Sequence, residues 1–236
     1  VRPALPRLEQ NDRRLTVASG ITLFSEARPF RVAEHRHPAF KVVLPADGGL
    51  VTVHPTHARP ITAPGVIVPP QYAHACATDS AFTALFIDAW NLPPDLGLTT
   101  LDPDVVQALL EAPSLTAITT LTGQTPTLDP RVAQALAAAP STPLTDIAAG
   151  LGLSAPRLRA LVRASVGIPL VRLRQWTRLR SAVTGLRHAT AADAAARAGF
   201  ADQSHMARTT RSLLGRTPAS LKPHSTSSRC SDGSAG

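Results

Sequence analysis

Two kinds of periodicity divide the chain. Between residues 15 and 90 the apolar positions come in short runs: LTVASGITLF, FKVVLP, GLVTVHP, GVIVPP and FTALFIDAW. These runs are β-branched or aromatic, and Gly, Pro and Asp punctuate them in PADGG, TAPG and VPPQ. Short strands at close spacing predict an antiparallel sandwich or barrel. The character changes near Pro93-Pro94. DPDVVQALLEA and DPRVAQALAAA each begin with Asp-Pro, an N-cap followed by proline at the first helical position, and predict helices over about 102–112 and 129–139. Val105, Val106, Leu109 and Leu110 form one apolar stripe, and Val132, Leu136 and Ala139 form another. PSTP at 140–143 reads as a short linker, and a helical, Ala/Leu/Arg-rich region follows it.

That last region repeats itself. DIAAGLGLS (146–154) aligns with DAAARAGFAD (193–202), pairing Asp146 with Asp193, Ala148 with Ala195, Gly152 with Gly199 and Leu153 with Phe200. After one extra residue in the second copy, Ser154 pairs with Asp202, Leu158 with Met206 and Gly167 with Gly215. Each copy reads as a short helix, a glycine turn at positive φ, a capping Ser or Asp, and a second helix. That is a helix-turn-helix, whose second helix normally enters the major groove.

Charge sharpens this picture. Residues 141–224 hold 13 Lys/Arg against three acids, whereas residues 1–140 hold 10 against 12. A basic half joined to a near-neutral half suggests that one of two units meets a polyanion, although a solubilising basic surface has the same composition. No run of 18 apolar residues exists and VRPALPRLEQNDRR lacks an apolar core, so neither a membrane span nor a signal peptide is expected. Only Cys76 and Cys230 are available for pairing, so a reducing cytoplasm is the simpler reading. With no Ser-His-Asp, Walker or Gly-rich dinucleotide pattern, the expectation is a protein that is not an enzyme and carries no cofactor.

GFADQSHMARTTRSLLGRTPASL (199–221) is similar to the signature of the AraC/XylS family of bacterial transcription regulators, and LTDIAAGLGLSAPRLRALVRASVGIPL fits its partner repeat. The resemblance covers about residues 130–221 with specific motifs and the N-terminal half more loosely. It implies two helix-turn-helix subdomains joined by a long helix at about 169–185. The family's base-reading positions map onto Gln203, Ser204 and Arg208, and near Pro156, Arg159 and Ala160. Helical spacing turns Met206, Thr209, Leu213 and Thr210 inward and leaves Arg211 outward with the readers. Arg157 and Arg163 are assigned to phosphate, and Arg174, with Arg172, Arg178 and Arg180 of the long helix, to positioning contacts with the DNA backbone. Met206 and Thr210 stand where the family has large aromatics, and Ala194 where it has a β-branched aliphatic. A less tightly packed second subdomain is therefore expected, and the Thr210 hydroxyl needs a partner.

EHRHPAFKVVLPADGG (34–49) and APGVIVPPQYAHAC (63–76) resemble the two cupin-like stretches of the family's effector domain. His35-x-His37 and His74-x-Cys76 each place two side chains on one face of a strand. His35, His37 and His74 are read as lining an effector pocket inside the barrel. A zinc-like site of His35, His37, His74 and Cys76 is the alternative. Against it, metal-binding cupins place a carboxylate four residues after the second His, where Lys41 stands.

The expected fold is α+β: an antiparallel cupin-like barrel over 1–95, a helical linker and dimerisation region over 96–140, a double helix-turn-helix domain over 141–224 and a disordered tail over 225–236. The expected function is sequence-specific transcription regulation controlled by a small-molecule effector, with a metal-binding cupin fused to a DNA-binding domain as the alternative. Double-stranded DNA, the effector, RNA polymerase and a second copy of the chain are the partners the resemblance implies.

Overall fold

The computed structural model describes residues 14–18, 20–123, 127–186 and 188–221. The expected tail at 225–236 lies outside them. Among the described residues ten strands come first: β1 (Arg14–Ala18), β2 (Ile21–Glu26), β3 (Arg31–His35), β4 (Ala39–Pro45), β5 (Val51–Pro55), β6 (Ile61–Ala63), β7 (Gly65–Val68), β8 (His74–Thr78), β9 (Phe82–Asp88) and β10 (Thr99–Leu101). Eight α-helices follow: α1 (Pro103–Glu111), α2 (Leu115–Thr122), α3 (Pro130–Ala137), α4 (Leu144–Gly150), α5 (Ala155–Val166), α6 (Leu170–Gly185), α7 (Ala191–Arg197) and α8 (Gln203–Leu214).

The strands pair antiparallel in two separate sheets, ordered β1-β2-β9-β4-β7-β10 and β3-β8-β5-β6. Hydrogen bonding therefore makes a two-sheet sandwich rather than a closed barrel. The central strands of the larger sheet are buried on both faces, which explains their near-continuous apolar runs. Phe40, Val42 and Leu44 of β4 pack with Leu85 and Ile87 of β9 and with Val106, Leu109 and Ile118 of α1 and α2. Ala39 and Val43 face the opposite way, as do Phe82, Ala84 and Phe86.

That opposite core does not stop at the sandwich. It continues through Trp176, Leu179, Ala182 and Val183 of α6 into Ala194, Ala195, Met206, Leu213 and Leu214 of α7 and α8. The first half of α6, with Leu170 and Leu173, belongs to a different core shared with α3, α4 and α5. Helix α6 thus changes partners midway. The core of the first helix-turn-helix takes in α3 and Ala89 just after β9, while the second shares the inner core of the sandwich.

The local signals for the helices act largely as the sequence implies. Asp129, Ser154 and Asp202 accept a backbone N–H at the starts of α3, α5 and α8, but Asp102 makes no such side-chain bond to α1. Gly152 and Gly199, the turns of the two repeats, have φ of +66° and +76°, a region that L side chains avoid. Met206 and Thr210 are fully buried, and the Thr210 hydroxyl donates to the Met206 carbonyl at 2.8 Å. The α2 helix was not evident in its Thr-rich sequence; Ser114 caps it. Among the described residues no helix is long and apolar enough to cross a membrane.

Candidate nucleic-acid interface and sensor site

The two recognition helices present the polar faces expected of them. On α5, Pro156, Arg157, Arg159, Ala160 and Arg163 are exposed while Leu158, Val162 and Val166 are buried. On α8, Gln203, Ser204, Arg208 and Arg211 are exposed above Met206, Thr209, Thr210 and Leu213. Arg157, Arg159, Arg163, Arg208 and Arg211 make no side-chain hydrogen bond or ion pair among the described residues. Their donors remain free for an external anion. Arg159 and Arg163 share an open groove with Gln175 of α6 and with Phe200 and His205 of the second repeat. His205 belongs to the turn, since its ring meets Phe200 edge-on at 5.3 Å and its Nδ1 faces the Ala201 N–H.

Arg174 does not fit the positioning role given to it. Its Nη2 donates to the carbonyls of Pro140 at 2.6 Å and Thr142 at 2.5 Å, and Arg178 donates to the same Pro140 carbonyl at 2.9 Å. A linker segment without helical partners leaves these carbonyls unsatisfied, and two guanidinium forks of α6 take them. Arg174→Ala is expected to destabilise the chain by about 1.5–3 kcal/mol, the worth of hydrogen bonds to a charged group, and to leave the salt dependence of DNA binding unchanged. Denaturant melts and binding isotherms at several salt concentrations check this. An unchanged melt with a salt slope lowered by about one unit would restore the phosphate role.

The other arginines of α6 face the sandwich. Arg180 pairs with Asp88 at 3.1 Å, and Arg172 donates to the Arg36 carbonyl at 3.1 Å. Burial raises the Asp88 pKa, and the Arg180 charge opposes that shift. Beyond α8, the buried Arg216 donates to Glu26 Oε2 at 2.6 Å and lies over the Phe30 ring at 3.5 Å. Backbone bonds complete the seam: Ala33 N–H donates to the Gly215 carbonyl at 3.3 Å, and Arg36 N–H to the Ser212 carbonyl at 3.2 Å. The last turn of the second recognition helix is thereby seated on β3.

An apolar cavity of about 50 Å³ lies in this seam, between Phe24, Phe82 and Phe86 of the sandwich and Trp176, Leu179, Val183 and Leu214 of the helices. Lys41, Arg180 and Arg216 bring cationic groups to its wall. Lys41 is buried on β4, and burial is the main cause that lowers its pKa. Sequence reasoning missed this seam, although two signals were present. Glu26 falls in phase with Thr22 and Phe24 on the inward face of β2, and Lys41 interrupts the apolar run AFKVVLP.

His35, His37 and His74 come together in the sandwich, but they do not line that cavity. His35 and His74 are register partners across β3 and β8. His37 is not on the same strand as His35, because β3 ends at His35 and the chain turns at Pro38 toward β4. Its Nδ1 is held by the Ala39 carbonyl at 2.6 Å. Cys76 stays outside the cluster, since it pairs with Val32, one rung away across a bulge. Burial, then the Lys41 charge, pushes His35 down to about 2 and His74 to about 4. Burial, then His35 and His74, holds His37 well below its usual value. All three are neutral imidazoles near neutral pH, and their Nε2 atoms are buried without a hydrogen-bond partner, which costs about 1–3 kcal/mol per group.

Residues 147–223 match the family of helix-turn-helix domains. No curated protein sequence matches the chain. Its fold is similar to that of ToxT from Vibrio cholerae: 10% identity and a TM-score of 0.56, over 91% of this chain and 100% of that one. A ToxT structure bound to an unsaturated fatty acid gives 12% and 0.53, covering 92% and 98% of the two chains. ToxT bound to (E)-4-(8-methylnaphthalen-1-yl)but-3-enoic acid gives 11% and 0.54, covering 89% and 99%. The likeness therefore extends over the sandwich as well as the helices.

Proposed function

We propose that this chain, which carries a helix-turn-helix domain over residues 147–223 and whose sequence motifs resemble the AraC/XylS family, is a sequence-specific transcription regulator whose sandwich senses an effector. The observation that carries the reading is the pair of exposed recognition faces on α5 and α8, whose arginines have no intramolecular partner among the described residues. The Gln203 amide can accept from adenine N6 and donate to N7, and the Arg208 guanidinium can donate to guanine O6 and N7. Arg159 takes the corresponding place on α5, and Arg157, Arg163 and Arg211 hold phosphates. The two helices enter successive major-groove faces about one helical turn, ~34 Å, apart. Dimerisation through α1 and α3, and contact with RNA polymerase, complete the reading on the strength of the family resemblance.

The effector is a small apolar carboxylic acid. The acids bound in the ToxT structures suggest this class, and the seam cavity offers an apolar wall with Lys41 beside it. At about 50 Å³ the cavity is far below the ~300–1,000 Å³ of small-molecule sites. An acid of that kind enters only by widening the seam, and so moves α6 and α8 against the sandwich. Its hold on the DNA-binding half then equals its difference in affinity between the closed and widened states.

In vitro selection of bound DNA tests the function. The full chain is expected to enrich a motif with two separated elements. Arg208→Ala is expected to lose one base preference at a cost of about 1–3 kcal/mol. An unenriched pool would overturn the reading, and an unchanged motif with Arg208→Ala would overturn the role of Arg208.

A further inference from the structure

We propose that His35, His37 and His74 form a binding site for one divalent transition-metal ion inside the sandwich, directly beneath the seat of the second recognition helix. The proposal goes beyond the regulator reading and does not depend on it. Three observations carry it.

The first is tautomer control. Nδ1 of His35 faces the Ala33 carbonyl at 2.8 Å, Nδ1 of His37 the Ala39 carbonyl at 2.6 Å, and Nδ1 of His74 the Tyr72 carbonyl at 2.9 Å. A carbonyl only accepts, so each Nδ1 carries the proton and each Nε2 keeps its lone pair. Metal-binding imidazoles are oriented in this way, with the remote N–H tied to a carbonyl or carboxylate. One such ring is common, whereas three converging rings set identically are not explained by packing.

The second is the unmet demand of the cluster. All three Nε2 atoms are buried with no hydrogen-bond partner. They cannot satisfy one another, because three acceptors contain no donor. One ring nitrogen from each residue lies within 4.8 Å of the others, and zinc–nitrogen bonds of about 2.0–2.1 Å hold such nitrogens some 3.3 Å apart in a tetrahedron. Small rotations of the rings close that difference.

The third is the donor set. Three neutral imidazoles suit zinc, copper, nickel or ferrous iron and disfavour magnesium or calcium. No carboxylate joins the cluster among the described residues, and the charge-bearing side chain nearby is that of Lys41. The ion therefore keeps open coordination positions for water or an anion.

The site has a structural consequence. The Ala33 carbonyl that fixes His35 belongs to the residue whose N–H holds the Gly215 carbonyl at the end of α8. An ion bound to His35 thus stiffens the strand end on which the recognition helix sits.

The test uses the full chain, stripped with a chelator and titrated with cobalt(II) and zinc(II). One equivalent per chain is expected by elemental analysis, with a higher thermal midpoint on loading. His37→Ala and His74→Ala are expected to lose the ion, while His54→Ala, on the exposed side of β5, keeps it. Failure of the folded wild-type chain to bind zinc or cobalt at millimolar concentration overturns the proposal, as does binding that survives both cluster variants. Should either variant fail to fold, copper(II) hyperfine spectra of the wild-type chain decide alone. Three equivalent imidazole nitrogens are expected, and fewer overturn the assignment. Neither result touches the DNA motif, so failure here and failure of the regulator reading are distinguishable.

Discussion

Glu26→Ala is expected to destabilise the chain by about 3–5 kcal/mol, the usual cost of removing one partner of a buried ion pair. Glu26 and Arg216 are 2% and 6% exposed in their side chains and meet at 2.6 Å, so water does not replace the lost carboxylate. Arg216 also lies over Phe24 and Phe30, which keeps the guanidinium in place once the Glu26 carboxylate is removed. The pair joins β2 of the sandwich to the segment after α8, across a core that runs through both without a break. Unfolding of the sandwich and of the second helix-turn-helix is therefore expected to stay coupled. Circular dichroism and Trp176 fluorescence should shift together in urea, by an amount that Glu26→Gln partly restores. A loss below about 1 kcal/mol, typical of solvent-exposed pairs, would mean that the seam is open to water.

Gly215→Ala is expected to cost more than the same change at Gly167, although the two glycines close their helices alike. Both lie in the left-handed region, with φ of +64° and +74°, and both donate their N–H to the carbonyl four residues back. Adding a side chain in that conformation costs about 1–2 kcal/mol at either place. A Cβ at Gly167 meets nothing within 4 Å, whereas one at Gly215 falls 2.2 Å from the Ala33 carbonyl oxygen. That atom is backbone and cannot swing away, so the last turn of α8 must lift off β3. The overpacking adds about 1–3 kcal/mol. Parallel denaturant melts of the two variants measure the difference, and equal losses would show that α8 does not press on the strand.

The comparison of these two glycines also shows how the sequence is to be read. The internal repeat aligned them and gave both the same role, which is correct for the helices in isolation. Nothing local to RSLLGRTP says that β3, some 180 residues earlier, would lie against it. The same limit applies to the arginines. Arg157, Arg159, Arg163, Arg208 and Arg211 are exposed as helical spacing implies, because a recognition helix buries one stripe and solvates the rest. Arg174 and Arg178 sit at equally plausible outward positions on α6, yet they serve the carbonyls of the 140–142 linker. Charge and spacing locate an arginine on a helix face, but what lies opposite that face is a property of the assembled molecule.

The histidines divide in the same way. Their three-residue convergence was legible, since the two cupin-like stretches suggested neighbouring strands. That His37 lies beyond the end of β3, and that Cys76 falls a rung away, depended on a bulge and on the turn at Pro38, which strand alternation alone does not reveal.

By itself the sequence determined what is local. It set the periodicities that make strands up to about residue 90 and helices after 103, though not β10 at 99–101, together with the caps and glycine turns of two aligned repeats and the polar faces of α5 and α8. Each follows from backbone preference or from side-chain spacing within a dozen residues. The tertiary structure alone decided how the second repeat compensates for its small core residues. Ala194 and Met206 do not enclose a separate core; they join one that already contains Phe24, Phe82 and Phe86 of the sandwich, and Thr210 is buried with its hydroxyl on the Met206 carbonyl. Apolar surface is indifferent to which part of the chain covers it, so the choice of covering partner is made only when the elements meet.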